Sequence, residues 1–140
     1  MDICIFKKET INVYRAIAID DDPLALLIVK RFCSRLDKID LVETYSDSVL
    51  GANDITNQKP DIVFLDMEMP DLSGLEILKG LGDSLKVVVV SSNLNIREDA
   101  LGLNAAAFLH KPTSFPAFER VVEKITHDSN CMSVQSEEVF

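Results

Sequence analysis

Apolar residues fall into two kinds of stretch along this chain, and they alternate. Tyr14–Ile19 is a short apolar run that ends in acids and reads as a strand. Asp22-Pro23 then fits a helix N-cap followed by proline at the first helical position. Leu24, Leu27, Ile28, Phe32 and Leu36 recur at helical spacing, which predicts a helix to Leu36. Leu41–Tyr45 is the second strand. Asp47 can cap a helix reaching Gln58, Lys59-Pro60 breaks it, and Asp61–Leu65 is the third strand. A loop over Asp66–Gly74 leads to a helix Leu75–Leu81, with Gly80 and Gly82 as its stop signals. Lys86–Val90 is almost wholly β-branched, the pattern of a strand buried on both faces. A helix over Ile96–Leu103, a strand over Ala106–Leu109, a turn at Lys111-Pro112 and an amphipathic helix Phe115–Thr126 complete the pattern. Five strands alternating with five helices predict an α/β parallel sheet covered on both faces. Residues 1–12 precede the pattern as an N-terminal extension, residues 13–126 form one domain, and residues 127–140 read as a polar tail or linker.

The length of 140 residues suits one domain with a core large enough to need no metal or disulfide staple. The formal charge of −9 repels phosphate backbones, so this domain should not bind nucleic acid directly. Cys4, Cys33 and Cys131 are an odd, widely spaced set without a CxxC pair, which argues against structural zinc and for reduced thiols. The apolar start Met1–Phe6 is too short for a signal-peptide core, and no run approaches a membrane span. These features together point to a soluble, cytoplasmic protein.

Charge changes the picture most at the strand ends. In a parallel sheet, ligands bind beyond the carboxyl ends of the strands. Strand one ends in Asp20, Asp21 and Asp22, strand three in Asp66, strand four in Ser91 and Ser92, and strand five in Lys111. Carboxylates gathered at one edge repel unless a proton or cation intervenes. With oxygen donors and no His or Cys among them, the suitable cation is hard, and Mg2+ is the natural candidate. Ser91 adds a hydroxyl and Lys111 a compact positive charge. The set suits a phosphoryl group carried on a carboxylate, with Asp66 as the nucleophile.

Two other chemistries can be weighed on the residues. A phosphatase of the haloacid dehalogenase type wants D-x-D followed by Thr or Val two residues on. Asp20-Asp21-Asp22-Pro23-Leu24 offers Leu at that place, and Asp66-Met67-Glu68 lacks the second Asp. A nucleotide or flavin module wants a glycine- or hydroxyl-rich phosphate loop after strand one, where this chain has acids. His110 reads as a strand-end residue and His127 as a helix C-terminal residue suited to the dipole.

The segments IAIDDDPLA (17–25), DIVFLDMEMPDLSGLEIL (61–78), VVVSS (88–92) and AAAFLHKP (105–112) resemble, in order and spacing, the receiver domain of two-component response regulators. The resemblance covers about residues 13–126. It implies the flavodoxin-like fold with strand order 2-1-3-4-5, an architecture for which a relative of this family is a standard example. By resemblance, Asp66 is the phosphoacceptor. Asp20 and Asp21 are the acidic pair for Mg2+, with Asp21 the direct ligand, and the backbone carbonyl of Glu68 is a further ligand. Ser91 and Lys111 engage the phosphoryl oxygens, the proline after Lys111 follows a cis bond, and Phe108 occupies the aromatic switch position. The resemblance also implies a sensor histidine kinase as partner, a homodimer through the fourth helix, fifth strand and fifth helix, and no turnover activity. A receiver-like scaffold that works without phosphorylation is the alternative. Asp22-Pro23-Leu24-Ala25 most resembles regulators of the LytTR type.

Overall fold

The computed structural model describes residues 12–81 and 84–127. Cys4, Gly82, Cys131, the N-terminal extension before Asn12 and the tail beyond His127 lie outside the described residues. Within them the chain runs β1 (Tyr14–Ile19), α1 (Pro23–Ser34), β2 (Ile39–Tyr45), α2 (Ser48–Gln58), β3 (Ile62–Asp66), α3 (Gly74–Gly80), β4 (Lys86–Ser91), α4 (Ile96–Gly102), β5 (Ala107–His110) and α5 (Phe115–Ile125). All strand pairings are parallel and the order is β2-β1-β3-β4-β5, the flavodoxin-like arrangement.

Helix starts follow local chemistry. The Asp22 carboxylate accepts from Leu24 N at 3.0 Å with Pro23 opening α1, and Asp47 accepts from Val49 N and Leu50 N at the start of α2. Ser73 and Glu76 form a reciprocal capping box at α3, and Ser114 caps α5. Helix α4 begins at Asn95 without a side-chain cap.

Some boundaries differ from the sequence expectation. Strand β2 starts at Ile39, not Leu41, because Ile39 and Asp40 pair with Tyr14 and Arg15. Helix α1 stops at Ser34, before Leu36, and β3 runs one residue further to include Asp66. Gly80 is no left-handed cap. It is the last residue of α3, and Leu81 after it is extended. The left-handed turns fall at Lys59 (φ 49°) and Asn104 (φ 68°). At Lys59 the strained backbone is secured by Arg15, whose guanidinium donates to the carbonyls of Gln58 and Lys59.

Alternation along the strands divides the core into two layers. Ala16, Ala18, Phe64, Val88, Val90 and Leu109 face α1 and α5. Ile17, Ile19, Leu65, Val87, Val89 and Phe108 face α2, α3 and α4. Helix α5 supplies Phe118, Val121, Val122 and Ile125 at i, i+3, i+4 and i+7, a stripe that continues the first layer. Phe118 stacks on Phe64 with centroids 5.2 Å apart, and Phe32 of α1 meets Phe115 and Phe118 at 5.3 Å. The Arg35 guanidinium covers Phe115 at 3.7 Å. This ladder locks α1 and α5 to the sheet and so sets the frame of the strand ends. Among the described residues, no helix is long and apolar enough to cross a membrane.

Candidate functional site

The strand order reverses between β1 and β3, and the acids sit at that switch point. Asp66 is the last residue of β3 and Asp20 directly follows β1; both are buried, at 4% and 6% exposure. Asp21 is exposed, yet ligand oxygens of Asp20, Asp21 and Asp66 lie within 4.8 Å of one another. The Lys111 ammonium lies 2.8 Å from Asp20 Oδ2 and 3.4 Å from Asp66 Oδ1. Backbone N–H groups complete the shell: Asp22 N donates to Asp20 Oδ1 at 2.9 Å and Glu68 N reaches Asp66 Oδ1 at 3.4 Å.

Electrostatics make this cluster unstable without a counter-charge. Burial and then the Asp20 charge push the Asp66 carboxyl up to about 7, with Lys111 opposing. Burial alone would lower Lys111, but the carboxylates of Asp20 and Asp66 outweigh it and hold the ammonium above its ordinary value. Three carboxylates face one ammonium, a charge balance that could accommodate a divalent cation. The donors are all oxygen, a set that suits a hard cation.

The loops around Asp66 are positioned differently. On the β3–α3 side, a Cβ on Gly74 would lie 2.1 Å from the Asp66 carbonyl oxygen, so glycine at this position lets α3 start against the Asp66 backbone. Ser48, buried at the start of α2, accepts from Leu72 N at 3.1 Å and ties that loop to the neighbouring helix. On the β4–α4 side, Ser91 is fully buried and its Oγ accepts from Asn93 N at 3.0 Å. His110 Nε2 donates to the Ser92 carbonyl at 3.2 Å. A cavity of about 310 Å3 opens beside the acids, floored by Leu26, Val29 and Phe64 with Asp66, Lys111 and Ser92 at its edge.

The structure thus gathers Asp20, Asp21, Asp66 and Lys111 at one point. Ser91 stands at the end of the adjacent strand but bonds within its own loop. Glu68 is exposed in the β3–α3 loop. Phe108 is buried at 6% exposure in the layer beneath α4. The Lys111-Pro112 peptide is cis, as the resemblance implies. Sequence reasoning missed Ser48 and His110 as loop tethers, and no local signal marks either one. It also missed the capping box, for which the S-x-x-E pattern at 73–76 is a readable signal.

Comparison with known proteins agrees with this geometry. The family model described as the response regulator receiver domain matches residues 16–124. An uncharacterized response regulatory protein of Vibrio cholerae is 30% identical over 112 residues, covering 79% of this chain and 47% of that protein. A protein-glutamate methylesterase/protein-glutamine glutaminase of Trichodesmium erythraeum is 29% identical over 119 residues, covering 80% of this chain and 34% of that protein. The chain therefore spans about a third to a half of the length of these relatives. Among solved structures, the response regulator domain of Thermotoga maritima CheB superposes with a TM-score of 0.71 at 26% identity, covering 89% of this chain and 100% of that one. The CheY of a CheX-CheY-BeF3-Mg2+ complex from Borrelia burgdorferi shares the fold with a TM-score of 0.73 at 19% identity, covering 80% and 88%.

This chain belongs to the response regulator receiver domain family, the signal-receiving module of two-component signalling. Its acidic Asp20, Asp21 and Asp66 site is of the kind typical of phosphoacceptor receivers. The LytTR-type likeness of Asp22–Ala25 is not borne out. Those residues are a helix start, where aspartate caps and proline opens α1, and such chemistry marks a helix N-terminus in any protein.

Proposed function

We propose that the domain, spanning residues 13–126, accepts a phosphoryl group on Asp66 from the phosphohistidine of a sensor kinase. The observation that carries this reading is the buried Asp66 carboxylate at the switch point, beside Asp20 and within reach of Lys111. A carboxylate oxygen of Asp66 attacks phosphorus as the phosphorus–nitrogen bond breaks. The histidine nitrogen keeps the bonding pair, and Asp66 becomes an acyl phosphate. Mg2+, held by Asp20, Asp21, Asp66 and the Glu68 carbonyl, would supply Lewis-acid neutralisation of the phosphoryl oxygens. Lys111 supplies a fixed positive charge beside Asp20 and Asp66.

Phosphorylation adds about −1.5 to −2 charges and strong acceptor oxygens. Ser91 then gives up Asn93 N and turns its hydroxyl to a phosphoryl oxygen. Phe108 follows into the space vacated under the β4–α4 loop. The surface of α4, β5 and α5 is thereby biased between two states, and it is the surface on which a second copy docks. The domain is consumed as its own substrate, so it is not a turnover enzyme. The methylesterase relatives are about three times longer than their match, and their catalytic chemistry is not assigned to these residues.

The test is intact mass after incubation with Mg2+ and acetyl phosphate. We expect the gain of one phosphoryl group, dependent on Mg2+ and absent in Asp66→Asn. No gain, where a known receiver is modified, replaces this reading with a phosphorylation-independent scaffold.

A further inference from the structure

His110 lies outside the roles assigned above. It is the last residue of β5, and alternation along the strand puts its side chain on the same face as Phe108, toward α4. It is exposed, so burial does not account for its position. Its Nε2 donates to the Ser92 carbonyl across the gap between β5 and the β4–α4 loop.

That loop also makes contacts of its own, and the Ser91 carbonyl at its start accepts from Lys111 N at 2.9 Å. Asn93 N donates to Ser91 Oγ at 3.0 Å and Asn95 N donates to Asn93 Oδ1 at 3.0 Å. Helix α4, which follows, has seven residues and no side-chain N-cap. The Lys111 N bond fixes the Ser91 backbone, whereas the geometry in which the Ser91 hydroxyl is occupied rests on the bond from Asn93 N. The His110 hydrogen bond comes from a different strand and anchors the residue next to Ser91. His110 is also one peptide unit from Lys111, whose ammonium contacts Asp20 and Asp66. One strand end thus holds the acids with one side chain and the movable loop with the next.

We propose that His110 is a positioning residue that clasps the β4–α4 loop in its resting geometry and so sets the threshold for Ser91 to turn toward Asp66. The inference rests on the phosphoacceptor reading above. A phosphoryl group on Asp66 draws Lys111 and shifts the strand end. The neighbouring clasp then loosens while Ser91 is being recruited. Removing the clasp beforehand lowers the energy gap between the two loop states and favours the recruited one.

The experiment compares wild type, His110→Ala and His110→Phe by hydrogen exchange of the loop amides and by the rate of Asp66 modification with acetyl phosphate and Mg2+. His110→Phe keeps a ring of similar size and removes the donor. We expect exchange at Asn93 and Asn95 to rise about two- to five-fold in both variants, with modification faster by a similar factor. Unfolding midpoints should stay unchanged, which a merely structural role would not predict. Unchanged exchange in both variants overturns the clasp. A rise in His110→Ala alone attributes the effect to ring packing and overturns the hydrogen-bond assignment. Faster exchange with an unchanged modification rate overturns the gating role. Failure of wild type to be modified at all overturns the phosphoacceptor reading and the gating role together, while the exchange data still decide whether the clasp exists.

Discussion

The two loops that flank Asp66 are built to opposite specifications. The β3–α3 loop is pinned at several points: Gly74 lies against the Asp66 carbonyl, Ser48 holds Leu72 N, and α3 opens on a full capping box. The β4–α4 loop is bonded to itself through Ser91 and Asn93, is reached from the end of β5 by the His110 side chain and the Lys111 N–H, and leads to a helix with no side-chain cap. The difference matches what the proposed phosphoacceptor chemistry asks of each side. A nucleophile and a cation site need fixed donors, since an ångström of misplacement weakens both. A reporter loop needs two states separated by little free energy.

Gly74→Ala attacks the pinned side most severely. Its Cβ would strike backbone, which cannot rotate away, so we expect a loss of about 3 kcal/mol in urea unfolding. A loss as small as a typical surface substitution would mean that the pinned loop can yield.

The next effect is electrostatic. The Asp66 carboxyl rises from its ordinary value of 3.8 to about 7 on folding. Between these values the folded chain keeps a proton that the unfolded chain has released. Stability without metal is therefore fully present at low pH and falls as pH rises through this window, levelling off above about 7. Asp66→Asn removes that penalty. In chelator at about pH 8 its melting temperature should exceed wild type by roughly 5 °C, with little difference at about pH 4. Equal melting temperatures at both pH values would show that the site is not strained by its own charge. Mg2+ should raise the melting temperature of wild type and leave the variant nearly unchanged.

Ser48→Ala leaves Leu72 N without its acceptor and should lower stability by about 1–2 kcal/mol, read by chemical unfolding. It should also weaken Mg2+ binding, because Glu68 lies in the loop that this bond holds. Unaltered Mg2+ affinity would separate the tether from the metal site.

The smallest effect is the sharpest comparison of the two loops. Ser73→Ala removes a working cap and should cost about 1 kcal/mol. Asn95→Ala, at the same helical position of α4, removes no cap hydrogen bond and should stay within about 0.5 kcal/mol. Equal losses would erase the asymmetry.

Most of the architecture was readable along the chain, because it rests on near neighbours. Asp22 and Asp47 cap helices within three residues of themselves, and the β-branched run at Lys86–Val90 marks a strand buried on both faces. The alternation of strand and helix leads to the parallel sheet, and the acids, Ser91 and Lys111 at successive strand ends lead to the site. Where local signals misled, a longer-range contact prevailed. Ile39 joined β2 through pairing with Tyr14, and the left-handed turn fell at Lys59, where Arg15 is 44 residues away in the chain.

Tertiary structure alone decided which acids are buried, Asp20 and Asp66, and which faces water, Asp21. It also decided that Lys111 lies nearer Asp20 than Asp66, that Ser91 rests on Asn93, that Ser48 reaches Leu72, and that His110 reaches Ser92. The physical reason is separation along the chain. Helix caps and strand patterns are set by residues a turn apart, so composition and spacing encode them directly. The distances between side chains at different strand ends depend on sheet register, twist and helix packing, and these exist only once the whole domain has closed around its core.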